Sequence, residues 1–157
     1  MIYYVRHGET DFNLFKVSQG QLDTSLNKTG LMQVKQLAEK LKTYEFDYVY
    51  CSPLIRCRQT LEAIQKHHKN LNPVFDARLM EVSKGTLEGQ KNSQAVYDDF
   101  FKDPHKYNGE TEVDVFKRVS AFLSDIEIYK NKKVLVVAHG GILKYFQFCL
   151  AGKDIST

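Results

Sequence analysis

The sequence predicts an α/β fold, a three-layer sandwich around a mostly parallel mixed central sheet. Two observations carry this. Four short apolar runs alternate with segments in which apolar residues recur every three or four positions. One of the runs, Lys133-Val134-Leu135-Val136-Val137-Ala138, is apolar without alternation, as expected of a central parallel strand covered on both faces.

The first run, Ile2 to Val5, ends on Arg6-His7-Gly8. Leu31, Val34, Leu37, Ala38 and Leu41 then form the apolar stripe of a helix with Thr29 as its N-cap. Tyr48 to Cys51 is the second strand. Ser52-Pro53 opens the next helix, with serine as cap and proline at the first helical position. Leu54, Cys57, Leu61 and Ile64 make its inner face, and Arg56 falls in its first turn. Val74-Phe75 is a short third strand. From Ser83 to Asn108 there is no clear period, and Gly85, Gly89 and Pro104 interrupt it, so a loop region with at most a short helix is expected. Tyr97, Phe100 and Phe101 in this stretch fit either closure over a ligand or, more commonly at that spacing, packing of the short helix. Thr111-Glu112-Val113-Asp114 is a capping-box pattern, and Val115, Val119, Phe122, Leu123 and Ile126 follow on the buried side of a long helix. The last strand, Val134 to Ala138, delivers His139-Gly140-Gly141 before a final helix. Ligands of open α/β sheets bind at the carboxyl ends of the strands. If the first and last strands are neighbours, His7 and His139 face each other there.

The 157 residues suit a single domain, 1–157, with one site. With 43% hydrophobic and 26% charged residues the chain is neither disordered nor fibrous. A net charge of +3, carried by scattered lysines and arginines, argues against nucleic acid as a partner and suits a small anionic ligand. The apolar start is too short for a signal peptide, and no segment reaches membrane-spanning length. Three cysteines without metal-ligand spacing indicate neither a disulfide framework nor a zinc site. These features lead to the expectation of a cytoplasmic protein with reduced thiols and no metal or other cofactor. The oligomeric state is not legible, and a homodimer is compatible with the sequence.

The residues at the two strand ends suit phosphoryl chemistry. Transfer of a phosphoryl group spreads negative charge over three equatorial oxygens, which positioned cations stabilise. Arg6 and Arg56 can offer planar forks to those oxygens. A neutral imidazole can attack phosphorus, and a carboxylic acid can protonate the leaving alkoxide. Cys51 is a poor alternative nucleophile: four residues separate it from Arg56, where a cysteine phosphatase loop needs five, and one of them is Pro53. His67, His68 and His105 lie in polar surroundings and read as surface residues.

Arg6-His7-Gly8-Glu9-Thr10 with Asn13 resembles the signature of the histidine phosphatase superfamily, which includes the phosphoglycerate mutases. Five further blocks resemble that family in order: Gln19-Gly20 with Asp23, Leu26, Thr29, Gly30 and Gln33; Ser52-Pro53-Leu54 with Arg56, Gln59 and Thr60; Glu81 with Gly85, Glu88 and Gly89; Gly109-Glu110-Thr111 with Arg118; and Val137-Ala138-His139-Gly140-Gly141. The resemblance implies a metal-independent phosphomonoester hydrolase acting on a small phosphorylated metabolite. It implies His7 as nucleophile, Arg6, Arg56 and His139 as phosphate pocket, Glu81 as proton donor with Glu88 as its rival, and Asn13, Gln19, Gly20 and Gly140 as substrate-pocket positions. Phosphoglycerate mutase-type transfer and phosphate-ligand binding without turnover are the alternative functions. Val82-Ser83-Lys84-Gly85 after Glu81 departs from the Arg-x-Tyr-Gly of the cofactor-dependent mutases, and the stretch from Glu81 to His139 is short for their substrate-covering insertion. Both departures favour the phosphatase branch. The sequence ends at Thr157, where relatives commonly add a strand, so a trimmed fold or a missing edge strand is a further expectation.

Overall fold

The computed structural model describes residues 1–152. Its strands are β1 (Ile2–Arg6), β2 (Tyr48–Cys51), β3 (Pro73–Phe75) and β4 (Val134–Ala138). Its helices are α1 (Asp11–Leu14), α2 (Lys28–Leu41), α3 (Ile55–Gln65), α4 (Gln94–Lys102), α5 (Glu112–Ile126) and α6 (Gly140–Leu150), with short 3₁₀ turns between them.

The strand order is β1-β4-β2-β3, and every neighbouring pair is parallel. Antiparallel pairing among the described residues is confined to two isolated bridges in the loops, Thr10 with Leu26 and Val17 with Lys91. The unbroken apolar run forms β4, buried at all five positions between β1 and β2. Alternate β4 side chains face opposite layers. Val134, Val136 and Ala138 join α5 and α6 through Val115, Val119, Phe122 and Phe146. Leu135 and Val137 join α2 and α3 through Ala38, Cys57, Leu61 and Ile64. The result is the expected three-layer sandwich.

Two helix starts differ from the sequence expectation. Helix α2 begins two residues earlier, capped by Asn27, whose Oδ1 accepts the Gly30 N–H at 2.8 Å; Thr29 lies inside the first turn. Helix α3 begins at Ile55 with Leu54 as its N-cap and no side-chain cap of its own. Its first N–H is satisfied from a distant loop, by Asp23 Oδ1 at 2.6 Å, which frees Ser52 for another partner described below. The aperiodic stretch contains one α-helix, α4, flanked by 3₁₀ turns at Gly85–Leu87 and Pro104–Tyr107. Phe100 of α4 is buried in the core. Helix α5 carries the anticipated capping box between Thr111 and Asp114. No helix among the described residues is long and apolar enough to cross a membrane. The expectation of a trimmed fold or a missing edge strand at Thr157 falls outside the described residues.

Candidate active site

Pairing of β1 with β4 sets Arg6 opposite Ala138, so the next residue of each strand is a histidine. His7 N–H continues the ladder by donating to the Ala138 carbonyl at 3.1 Å. The two imidazoles meet at 5.2 Å between centroids, at an interplanar angle of 61°.

His7 is 7% exposed, and its Nδ1 lies 2.7 Å from the Gly8 carbonyl oxygen. A carbonyl can only accept, so Nδ1 bears the proton and Nε2 keeps a free lone pair. Burial, with further contributions from Arg56 and Arg6, lowers the His7 pKa to about 4 despite the opposing bond to Gly8. The imidazole is therefore neutral at physiological pH. His139 is fully buried, and its pKa too is pushed well down, by desolvation first and then by Arg56 and His7. Its Nε2 lies 2.8 Å from Ser52 Oγ and 3.4 Å from Cys57 Sγ, while its carbonyl accepts the Tyr4 hydroxyl at 2.6 Å. Ser52 thus orients His139 and does not cap α3.

Arg56 is fully buried, behind the cleft and not among the residues lining it. Its fork is occupied: Nη2 donates to the Gly20 carbonyl at 2.7 Å and Nη1 to that of Leu22 at 2.8 Å. Its Nε–H is buried without an acceptor. The bidentate face expected to meet phosphate is thus used to hold the Gly20–Leu22 loop. Gly20 takes φ +49°, a conformation that favours glycine, and a Cβ there would fall 2.1 Å from Glu88 Oε1. Thr60 ties the segments that carry His7 and Arg56 together, donating to the Arg56 carbonyl at 2.8 Å and accepting the Gly8 N–H at 3.3 Å.

A cleft of about 320 Å³ opens at this edge. Arg6, His7, Asn13, Gln19, Gly20, Glu81 and Gly140 line it, which gathers every anticipated position except the buried Arg56 and His139. Asn13 Oδ1 accepts from the Thr10 N–H at 3.1 Å and Gln19 Oε1 from the Thr10 hydroxyl at 2.7 Å, so both side chains are held from behind by one threonine. Gly140 leaves room for Arg6, whose Nε would sit 3.0 Å from a Cβ at that position. A larger groove of about 580 Å³ lies around Met1, Ile2 and Leu150 at the other end of β1; among the described residues no histidine or arginine lines it.

Glu81 and Glu88 separate clearly. Glu81 lines the cleft; its Oε2 accepts the Gly141 N–H at 3.0 Å, at the N-terminus of α6, and its Oε1 accepts the Val82 N–H at 2.8 Å. Glu88 is turned away, its Oε1 accepting the N–H groups of Gln21 at 3.0 Å and Lys84 at 2.9 Å. The structure also shows what holds Glu81. Arg118 pairs with Glu110 at 2.8 Å and donates to the carbonyls of Arg78, Met80 and Glu81 at 2.6, 2.8 and 3.2 Å. Glu110 in turn accepts the Ser83 N–H at 2.8 Å. Both appear in the sequence motifs, but the contacts that give them this role join residues far apart in the chain. Other residues at the cleft that sequence reasoning did not assign are Lys84, Asn92 and Lys144. Tyr97 and Phe101 line it as well, so α4 both packs through Phe100 and walls the site.

The remaining candidates fall outside the site. Burial pushes the Cys51 thiol up to about 12, leaving it protonated and unreactive. His67 pairs with Glu39 on the surface at 3.0 Å, His68 lies 3.0 Å from the Leu41 carbonyl, and His105 is exposed.

The family model of the histidine phosphatase superfamily (branch 1) matches residues 2–157. The chain is 33% identical over 155 residues to the uncharacterized phosphatase PhoE of Bacillus subtilis, covering 96% of this chain and 77% of that protein. It is 32% identical over 162 residues to phosphoserine phosphatase 1 of Hydrogenobacter thermophilus, covering 97% and 76%. Among solved structures, a mycobacterial glucosyl-3-phosphoglycerate phosphatase in complex with VO3 superposes with a TM-score of 0.83 at 28% identity, covering 98% of this chain and 82% of that one.

Proposed function

Since the chain belongs to the histidine phosphatase superfamily, we propose that it is a metal-independent phosphomonoester hydrolase working through a covalent phosphohistidine on His7. The observation that carries this reading is the Nδ1 contact of His7 to the Gly8 carbonyl, which leaves a neutral Nε2 as nucleophile at the cleft.

In the first step the Nε2 lone pair attacks phosphorus, and the bond from phosphorus to the ester oxygen breaks. The leaving alkoxide takes a proton from the Glu81 carboxylic acid and departs as an alcohol. The ring becomes cationic as it accepts the phosphoryl group, and the Gly8 carbonyl at Nδ1–H stabilises that charge. In the second step Glu81, now a carboxylate, removes a proton from water; the water oxygen attacks phosphorus, the P–N bond breaks and its electron pair returns to Nε2. Arg6 at the cleft and the unpartnered Nε–H of Arg56 behind it are the donors assigned to the phosphoryl oxygens. His139, fixed by Ser52, lies buried behind the cleft with its ring 5.2 Å from that of His7. The cleft volume is at the lower end of the roughly 300–1,000 Å³ typical of small-molecule sites, which favours a small metabolite.

The test is hydrolysis of nitrophenyl phosphate in excess chelator by wild type and His7→Ala, with acid-labile phosphohistidine trapped by rapid quench from a ³²P-labelled ester. Turnover and label in wild type, both absent from His7→Ala, are the expected results. Turnover that requires added metal, or label on another residue, would overturn the proposal. Intramolecular transfer on a phosphoglycerate with little free phosphate would reassign the chain to the mutases.

A further inference from the structure

Three cations line the cleft: Arg6, Lys84 and Lys144. Arg6 is assigned to the transferred phosphoryl group. Lys144 is already neutralised, bonded to Glu112 Oε1 with its Nζ 5.0 Å from the Phe101 ring centroid. Lys84 differs. Among the described residues no carboxylate lies within ion-pair distance of its ammonium, which sits over the Tyr97 ring at 5.1 Å. Its backbone is pinned, the N–H donating to Glu88 at 2.9 Å, so the side chain springs from a fixed point. Burial lowers its pKa, while Glu81 and Glu88 act on it only through space. A partly desolvated cation without a protein counter-ion gains from an anion that arrives with the ligand. The transferred phosphoryl group is assigned to His7 and the arginines, so the anion that reaches Lys84 belongs to the remainder of the substrate.

We propose that Lys84 recognises a second anionic group, carboxylate or phosphate, on the part of the substrate that is not transferred, so that the preferred substrates are small phosphorylated acids. This rests on the hydrolase reading and narrows its substrate class. Lys84 acts in specificity: it touches the substrate remote from phosphorus and takes no part in bond breaking.

The experiment compares matched pairs that differ by one anionic group. O-phosphoserine is set against O-phosphoethanolamine, and propanediol bisphosphate against propyl phosphate, with wild type, Lys84→Met and Lys84→Arg. Wild type should favour the anionic member of one pair in kcat/KM by about 10-fold or more. Lys84→Met, which keeps the apolar stem against Tyr97, should abolish that preference, and Lys84→Arg should restore most of it. The pair that responds identifies carboxylate or phosphate. No preference in wild type, or a preference unchanged in Lys84→Met, would overturn the proposal. The same four compounds are titrated calorimetrically into His7→Ala proteins with and without the Lys84 change, where the affinity ratios should follow the same pattern. If no ester at all is turned over, the hydrolase reading falls, and the affinity ratios still decide the role of Lys84.

Discussion

Replacing His7 by asparagine should make the protein less sensitive to acid even as it removes the proposed nucleophile. The imidazole is 7% exposed and titrates in the folded protein at about 4, against about 6.5 for a free histidine. Because the folded pKa is the lower one, the unfolded chain binds the extra proton between these values. Stability is therefore fully present above the unfolded value and is lost as pH falls from about 6.5 towards 4. Between pH 7 and pH 5 the linkage relation gives a loss of about 2 kcal/mol from His7 alone. Urea denaturation followed by circular dichroism at pH 7, 6 and 5 measures it. The stability difference between wild type and His7→Asn should shift by about 2 kcal/mol across that range in favour of the variant. The carboxylates titrate in both proteins and cancel in the difference, while His139, whose pKa His7 helps to lower, shifts it further in the same direction. Parallel pH profiles for the two proteins would refute the reasoning, since His7 would then not be held neutral by burial. The same property governs activity: kcat/KM should decline only as pH falls towards about 4, and an acid limb near 6.5 would count against a pre-set neutral nucleophile.

Four other outcomes follow from the site. His7→Ala should lose turnover by several orders of magnitude with an unchanged circular dichroism spectrum, because no other side chain at the cleft can take its place. Glu81→Gln should slow alkyl phosphates by about 10²- to 10⁴-fold and nitrophenyl phosphate far less, since only the former need a proton on the leaving oxygen; equal slowing would remove the acid role. Arg56→Lys should lower kcat/KM by about 100-fold or more and also lower the urea midpoint, because one ammonium cannot bond both loop carbonyls and present the Nε–H as well. Arg118→Met should reproduce the leaving-group dependence of Glu81→Gln in weaker form, with Arg118→Lys intermediate, because Arg118 holds the backbone that carries Glu81; a uniform loss on all esters would assign Arg118 to stability alone.

What the sequence determined by itself is the part of this protein written in local patterns and contiguous motifs. The apolar run of β4 required a covered parallel strand, the spacing in α2, α3 and α5 required helices packed on it, and Thr111 with Asp114 marked a helix start through contacts three residues apart. The motifs on the two strand ends named His7 and His139, and the register of β1 on β4 brought them together. Tertiary structure decided what each functional group is bonded to. Ser52, a plausible cap by its position before proline, binds His139 across 87 residues because Asp23 serves the helix instead. Arg56 turns its fork on the Gly20–Leu22 loop, Glu81 faces the cleft while Glu88 braces the chain behind it, and Arg118 of α5 fixes the chain from Arg78 to Glu81. Lys84 lines the cleft with its ammonium over the Tyr97 ring of α4, a contact that joins residues of two different segments. Such choices depend on which distant donor meets which acceptor when the layers close, and satisfying buried polar groups is a condition on the whole fold that local spacing does not contain.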